Sequence, residues 1–175
     1  KQKGHMLVVL AGGFGSRLRS VVSDVPKPLA PIGSTPFLDF LINSWLEQGV
    51  RSFLFLLHYE ANKIISFMDQ QRNSLLAHCQ VDYLIEDRPL GTGGSIKNAI
   101  DAGKIKDDFL VCNADTWLGV GVQAMQEAGC PSLAVTKVEN RSRYGGVMFD
   151  GNQFVTAFQE KGQDDAGWIN AGMYN

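Results

Sequence analysis

Gly12, Gly13, Gly15, Arg17 and Lys27 have the residue types and the spacing to hold a polyphosphate. Glycines free the backbone for positive φ and let amide N–H groups come close to anionic oxygens, and the two cations add charge that water would not concentrate there. The apolar run LVVLA before Gly12 reads as a buried strand that delivers the loop. Two familiar phosphate loops do not fit. A Walker A loop needs Lys and then Ser or Thr after its second glycine, whereas Gly15 is followed by Ser16, Arg17 and Leu18. A dinucleotide fingerprint needs a glycine where Leu18 stands and an acid closing the next strand, where the chain has Leu57 and His58. Lys27 sits between Pro26 and Pro28, a restraint that an ordinary surface lysine lacks.

Other residues could do chemistry further along. Asp115 follows the apolar run 108–112, and an acid at the carboxyl end of a strand lies where open α/β sheets bind ligands, although Asp also caps turns. Pro89 to Gly94, PLGTGG, follows Glu86 and reads as a second glycine loop ahead of a helix at 95–102. Glu160 and Lys161 follow a strand, where a functional pair and a solvated pair are equally good readings. Asn170, in the apolar run WINAGMYN, reads as a buried polar group that needs partners. Trp45, Trp117 and Trp168 read as packing, with Trp168 also able to stack on a ligand ring. Cys79, Cys112 and Cys130 have no metal-ligand spacing and read as thiols of a reducing cytoplasm.

The elements that must position these residues alternate. Residues 6–11 are apolar on both faces and belong at the centre of a sheet. Pro26, Pro28, Pro31 and Gly33 exclude a regular helix over 20–34 and predict an extended loop around Lys27. Thr35 and Pro36 open a helix as N-cap and first turn, with Asp39 near its positive end and Leu38, Leu41, Ile42, Trp45 and Leu46 on its apolar side. Strands at 50–57, 81–85, 108–112, 132–138 and 168–175 alternate with helices at 60–68, 95–102 and 122–128, and 73–80 stays undecided. Asp150-Gly151-Asn152 predicts a hairpin between 147–149 and 154–159. This βαβα rhythm predicts an α/β fold. A chain of 175 residues, 45% hydrophobic, supports one domain, taken as 6–175, with 1–5 read as a cloning scar. A net charge of −2 gives no reason to expect nucleic acid or an anionic membrane as partner, and no apolar run spans a bilayer.

Taken in order, LAGGFGSRL at 10–18, PKP at 26–28, PLGTGG at 89–94, the acid of NADT at Asp115, RYG at 143–145, QEK at 159–161 and INAG at 169–172 resemble the motifs of sugar-1-phosphate nucleotidylyltransferases. FGSRL, VSDVPKPLAPI and INAGMY are most similar to the bacterial enzymes that act on D-glycero-D-manno-heptose 1-phosphate. Mannose-1-phosphate and N-acetylmuramate-1-phosphate enzymes share most of these blocks and stay open, as does a non-catalytic regulatory homologue. The resemblance implies a three-layer α/β/α sandwich, Rossmann-like, with a mixed, mostly parallel sheet of the nucleotide-diphospho-sugar transferase type. It also implies a cytoplasmic enzyme, with homo-oligomer formation left open, that makes a sugar nucleotide for surface polysaccharide from a nucleoside triphosphate, GTP in the heptose enzymes, and a sugar 1-phosphate. In that reading Leu10, Ala11, Gly12, Gly13, Gly15 and Ser16 cradle the triphosphate, Arg17 holds the departing phosphates and Lys27 neutralises the reacting centre. Asp115 ligates Mg²⁺, and Glu86, Gly91 and Thr92 line the base. Lys161 grips the sugar phosphate, and Gly145, Glu160 and Asn170 face the sugar hydroxyls. The sequence departs from the family pattern at Ala114, where glycine is usual, and at Gly162, where proline is usual. The resemblance places a second metal-ligating acid beyond the strand of INAGMYN, past Asn175.

Overall fold

The computed structural model describes residues 5–13, 25–129 and 131–175. The first strand, β1 (Met6–Leu10), is followed by a single 3-10 turn at Lys27–Leu29 and by two short strands, β2 (Pro31–Ile32) and β3 (Thr35–Pro36), that pair with each other. Then come α1 (Phe37–Glu47), β4 (Ser52–Leu57), α2 (Ala61–Gln71), β5 (Gln80–Ile85), α3 (Gly91–Asp101), β6 (Phe109–Asn113), α4 (Val122–Ala128) and β7 (Leu133–Val138). The hairpin β8 (Gly146–Phe149) and β9 (Val155–Gln159) precedes the last strand, β10 (Gly167–Tyr174).

One mixed sheet runs β5-β4-β1-β6-β10-β8-β9, with β7 paired to β10 off that path. The first four strands are parallel, so their carboxyl ends share one rim. β10 turns the sheet antiparallel, pairing with β6, β7 and β8 along its length. Because strand side chains alternate between faces, the apolar runs read above fill two layers. Leu7, Val9, Phe53, Phe55, Leu57, Leu110 and Cys112 pack with α1, α2 and α4 on one face, while Val8, Leu54, Leu56 and Val111 pack with Ala99 of α3 on the other. This is the expected α/β/α sandwich. Leu7 and Leu54 are fully buried, and truncating either to Ala would cost about 2–5 kcal/mol.

Three local expectations need correction. Thr35 does not cap α1: it pairs with Ile32, Pro36 takes the N-cap position without a side-chain hydrogen bond, and Asp39 supplies the acid of the first turn. Lys27 lies in a 3-10 turn rather than an extended loop, because the amides of Leu29 and Ala30 close onto the carbonyls of Pro26 and Lys27 at 2.8 and 3.1 Å. PLGTGG is not a loop ahead of the helix. Gly91 begins α3, so the glycines form its first turn, held in part by the Ser95 hydroxyl donating to the Gly91 carbonyl at 2.8 Å. Residues 73–80 are mostly turn, whereas α4 spans the residues expected of it.

Candidate active site

The rim formed by β5, β4, β1 and β6 gathers most of the residues expected to meet a nucleotide. Ala11 continues β1 by donating its amide to Leu56 at 3.0 Å, and Ala114 continues β6 by donating to Leu10 at 3.0 Å. Gly12 then passes close to the end of β4: a Cβ there would lie 3.3 Å from His58 Cβ, while one at Gly13 would meet open space. Gly15, Ser16 and Arg17 lie outside the described residues.

Lys27 and Asp115, 88 positions apart in sequence, meet at this rim. The Lys27 ammonium donates to Asp115 Oδ2 at 2.6 Å, and the two side chains are 40% and 43% exposed. The turn that Pro26 and Pro28 impose brings the lysine to the end of β6, where the acid stands. Thr116 donates to the other carboxylate oxygen, Oδ1, at 3.2 Å. A half-exposed, compensated ion pair beside bare backbone can be reopened by a polyanion at little cost, because solvent already screens part of its attraction.

Glu86, at the end of β5, is 6% exposed, and its Oε1 is buried without a hydrogen-bond partner among the described residues. Its backbone is fixed twice: its amide donates to Leu57 at 2.8 Å, and its carbonyl accepts from His58 Nδ1 at 2.7 Å. A carbonyl only accepts, so this contact places a proton on Nδ1. A buried carboxylate oxygen without a donor is costly, and an N–H brought to it would satisfy it. Gly91 and Thr92, exposed in the first turn of α3, follow on the same stretch of chain.

The residues expected to meet the sugar lie across the antiparallel half of the sheet. Gly145 precedes β8, and Glu160 and Lys161 follow β9, both exposed and without a hydrogen bond or ion pair among the described residues. Asn170 is exposed, not buried as its apolar neighbours predicted. The alternation of β10 sets it on the exposed face with Trp168, and its side chain donates to Tyr174 Oη at 2.7 Å and accepts from the Gly172 amide at 2.7 Å. A bulge follows between Asn170 and Tyr174. Gly172 makes that bulge possible with φ 79°, and a Cβ there would sit 3.1 Å from Asn113 Nδ2. Trp168 packs edge-on against Phe149, ring centroids 5.5 Å apart. Among the described residues none of these groups hydrogen-bonds to the Lys27–Asp115 pair.

Residue chemistry away from the rim is quiet. Burial pushes the Cys112 thiol up to about 12, consistent with the packing role expected of it. Among the described residues no group of three or more His, Cys, Asp and Glu side chains gathers to hold a metal. Among the described residues no helix is long and apolar enough to cross a membrane. Two residues of this region were not singled out from sequence. His58 stands directly after an apolar strand, the signal that pointed to Asp115, whereas Arg141, 9% exposed, carries no such signal.

The sequence matches the nucleotidyl transferase family over residues 6–175. The chain belongs to that family. The nucleotidyl transferase is 32% identical over 168 residues to the D-glycero-alpha-D-manno-heptose 1-phosphate guanylyltransferase of Campylobacter jejuni, covering 95% of this chain and 73% of that protein. It is 34% identical over 172 residues to the protein of the same name from Aneurinibacillus thermoaerophilus, covering 95% and 72%. Its backbone superposes on the crystal structure of HddC from Yersinia pseudotuberculosis complexed with GMP-PN with a TM-score of 0.83, at 36% identity, over 97% of this chain and 75% of that one. The architecture is therefore that of the nucleotide-diphospho-sugar transferases, as the motifs implied.

Proposed function

We propose that this nucleotidyl transferase moves GMP from GTP onto D-glycero-D-manno-heptose 1-phosphate, releasing pyrophosphate and forming a GDP-sugar. The observation that carries the reading is the Lys27–Asp115 pair, 2.6 Å apart at the carboxyl rim of the parallel strands and next to the bare backbone of Gly12 and Gly13. In-line attack by a sugar phosphate oxygen on the α-phosphorus asks little covalent work of a protein. It asks that two polyanions be held in line and that charge be neutralised as the β-phosphate oxygen departs.

In this reading the amides after β1 receive the triphosphate, with Gly12, Gly13, Gly15 and Ser16 as the loop and Leu10 and Ala11 as its strand, and Arg17 meets the departing phosphates. Lys27 exchanges its carboxylate partner for phosphate oxygens and follows the negative charge of the transition state. Asp115, so released, would hold Mg²⁺: one or two carboxylates, together with substrate phosphates and water, form the donor set a small hard cation accepts. The ion supplies charge neutralisation at the phosphates when bound. Lys161 steers the incoming sugar phosphate, and Gly145, Glu160 and Asn170 face the sugar hydroxyls.

Glu86 favours guanine as the base. Guanine presents two adjacent donors, N1–H and its exocyclic amino group, which match a carboxylate, whereas uracil presents one donor between two acceptors. The unpartnered Oε1 of Glu86 is such an acceptor, with Gly91 and Thr92 completing the base site. The test is a matrix of pyrophosphate-release assays, GTP and UTP against heptose, mannose and N-acetylmuramate 1-phosphates. Turnover is expected to be highest with GTP and the heptose phosphate. Equal rates with UTP, or none with any pair, would overturn the reading.

A further inference from the structure

Arg141 is one of only two charged residues that are buried among those described, the other being Glu86. All three nitrogens of its guanidinium donate. Nε and Nη2 donate to Asp165 Oδ1 at 3.0 and 2.8 Å, Nη2 donates also to Asp165 Oδ2 at 2.8 Å, and Nη1 donates to Gln159 Oε1 at 2.7 Å. The Arg141 amide donates to the Asp165 carbonyl at 2.9 Å, and Asn140 donates its side-chain amide to Asp164. Space has been cleared for this group. A Cβ at Gly167 would lie 2.6 Å from Nε and 2.8 Å from Cζ, and a Cβ at Gly146 would collide with Nη1. The side chain therefore runs between the starts of β8 and β10, where any side chain other than hydrogen would displace it.

Gln159 and Asp165 are the two ends of one short loop, and between them stand Glu160 and Lys161. Those two side chains have no partner of their own among the described residues, and Glu160 and the residues up to Ala166 are all exposed. A loop with little packing is held by its ends, and here a single planar cation holds both. Asp165 is 56% exposed and Arg141 10%, so the pair resembles a peg set into the sheet with its counter-ion at the surface. Burying a cation is expensive unless it is paired and hydrogen-bonded, and here both side-chain partners stand at the ends of the loop.

We propose that Arg141 is a positioning residue: it clamps residues 159–165 so that Glu160 and Lys161 are presented together to the sugar 1-phosphate. The inference rests on the reading of Glu160 and Lys161 given above. Without the clamp the two side chains remain present but sample many arrangements, so the loss falls on the sugar substrate and spares the nucleotide rim on the other half of the sheet.

The test compares wild type with Arg141→Met, Arg141→Lys and Asp165→Asn by steady-state kinetics for each substrate, by amide hydrogen exchange and by thermal unfolding. In Arg141→Met the KM for the sugar 1-phosphate is expected to rise about tenfold or more while the KM for GTP moves less than about twofold. Exchange is expected to accelerate at residues 160–164 and to stay unchanged in β1, β4 and β6. Arg141→Lys should fall between, since an ammonium can hold Asp165 but cannot fork to Gln159 as well, and Asp165→Asn should show the same pattern more weakly. Unchanged exchange at 160–164, or equal rises in both KM values with faster exchange throughout the sheet, would overturn the clamp. If wild type itself turned over no sugar 1-phosphate the proposed function would fall, and exchange at 160–164 would still decide whether Arg141 holds the loop.

Discussion

Replacing Asp115 with Asn separates the structural worth of the Lys27–Asp115 pair from its worth in catalysis. The pair is short, 2.6 Å, but both side chains are about two-fifths exposed, and exposed pairs contribute only about 0.2–1 kcal/mol once solvent and side-chain entropy are counted. For a chain of this size 1 kcal/mol is about 2–4 °C in Tm. Asn keeps the shape and one acceptor for Lys27, so the melting temperature should move by no more than that. The transition state loses far more: a carboxylate that holds a divalent cation against the reacting phosphates, worth on the order of 10³-fold in kcat, or about 4 kcal/mol. Nucleotide binding measured calorimetrically without Mg²⁺ should change less than about threefold, because Lys27 stays and has lost its competing anion. Pyrophosphate release with saturating GTP and sugar 1-phosphate, run beside thermal unfolding, reads both sides. A variant that keeps kcat within about tenfold of wild type, or that loses binding and turnover together, would refute the assignment of Asp115.

Glu86→Gln should narrow the preference for GTP over UTP by about 30-fold in kcat/KM, since one charge-assisted hydrogen bond worth about 2 kcal/mol is exchanged for a donor that faces guanine with like polarity; an unchanged ratio would remove Glu86 from the base site. Gly172→Ala should cost about 1–2 kcal/mol, through the positive φ and the crowding of Asn113 Nδ2 at 3.1 Å, read as a fall of a few degrees in Tm, and an unaltered Tm would mean that the bulge of β10 relaxes freely. With its thiol pushed up to about 12, Cys112 should resist alkylation at pH 8 in the folded protein and react in denaturant, and labelling of the native protein at that residue would show that the β6 layer opens readily.

The central layer of the fold was legible because β1, β4 and β6 are apolar on both faces, a pattern that only a strand covered on both sides requires. Asp115 could be found by the same logic, as an acid directly after such a strand. Glycine was read less well. PLGTGG looks like a loop by propensity, yet Gly91 starts a helix because Ile96 and Ala99 behind it pack on the sheet and carry the first turn with them. Asn170 was misplaced because the run around it is apolar, yet the alternation of β10 sets it on the exposed face between the buried Ile169 and Ala171. Glu86 and Arg141 sit in polar runs, EDR and ENRSR, where local sequence announces a surface; their burial depends on partners such as Leu57, Gln159 and Asp165 that no local window contains.

Nucleotidyl transfer can be followed by the fate of one phosphorus atom. Incubated with Mg²⁺, D-glycero-D-manno-heptose 1-phosphate and GTP labelled at the α-phosphate, the protein is predicted to move the label into a GDP-sugar, with one unlabelled pyrophosphate released for each label transferred and transfer by Asp115→Asn slowed on the order of 10³-fold. Label that stayed in GTP, or that appeared as GMP or GDP whether or not the sugar phosphate was present, would contradict the assignment of this site to sugar nucleotide synthesis.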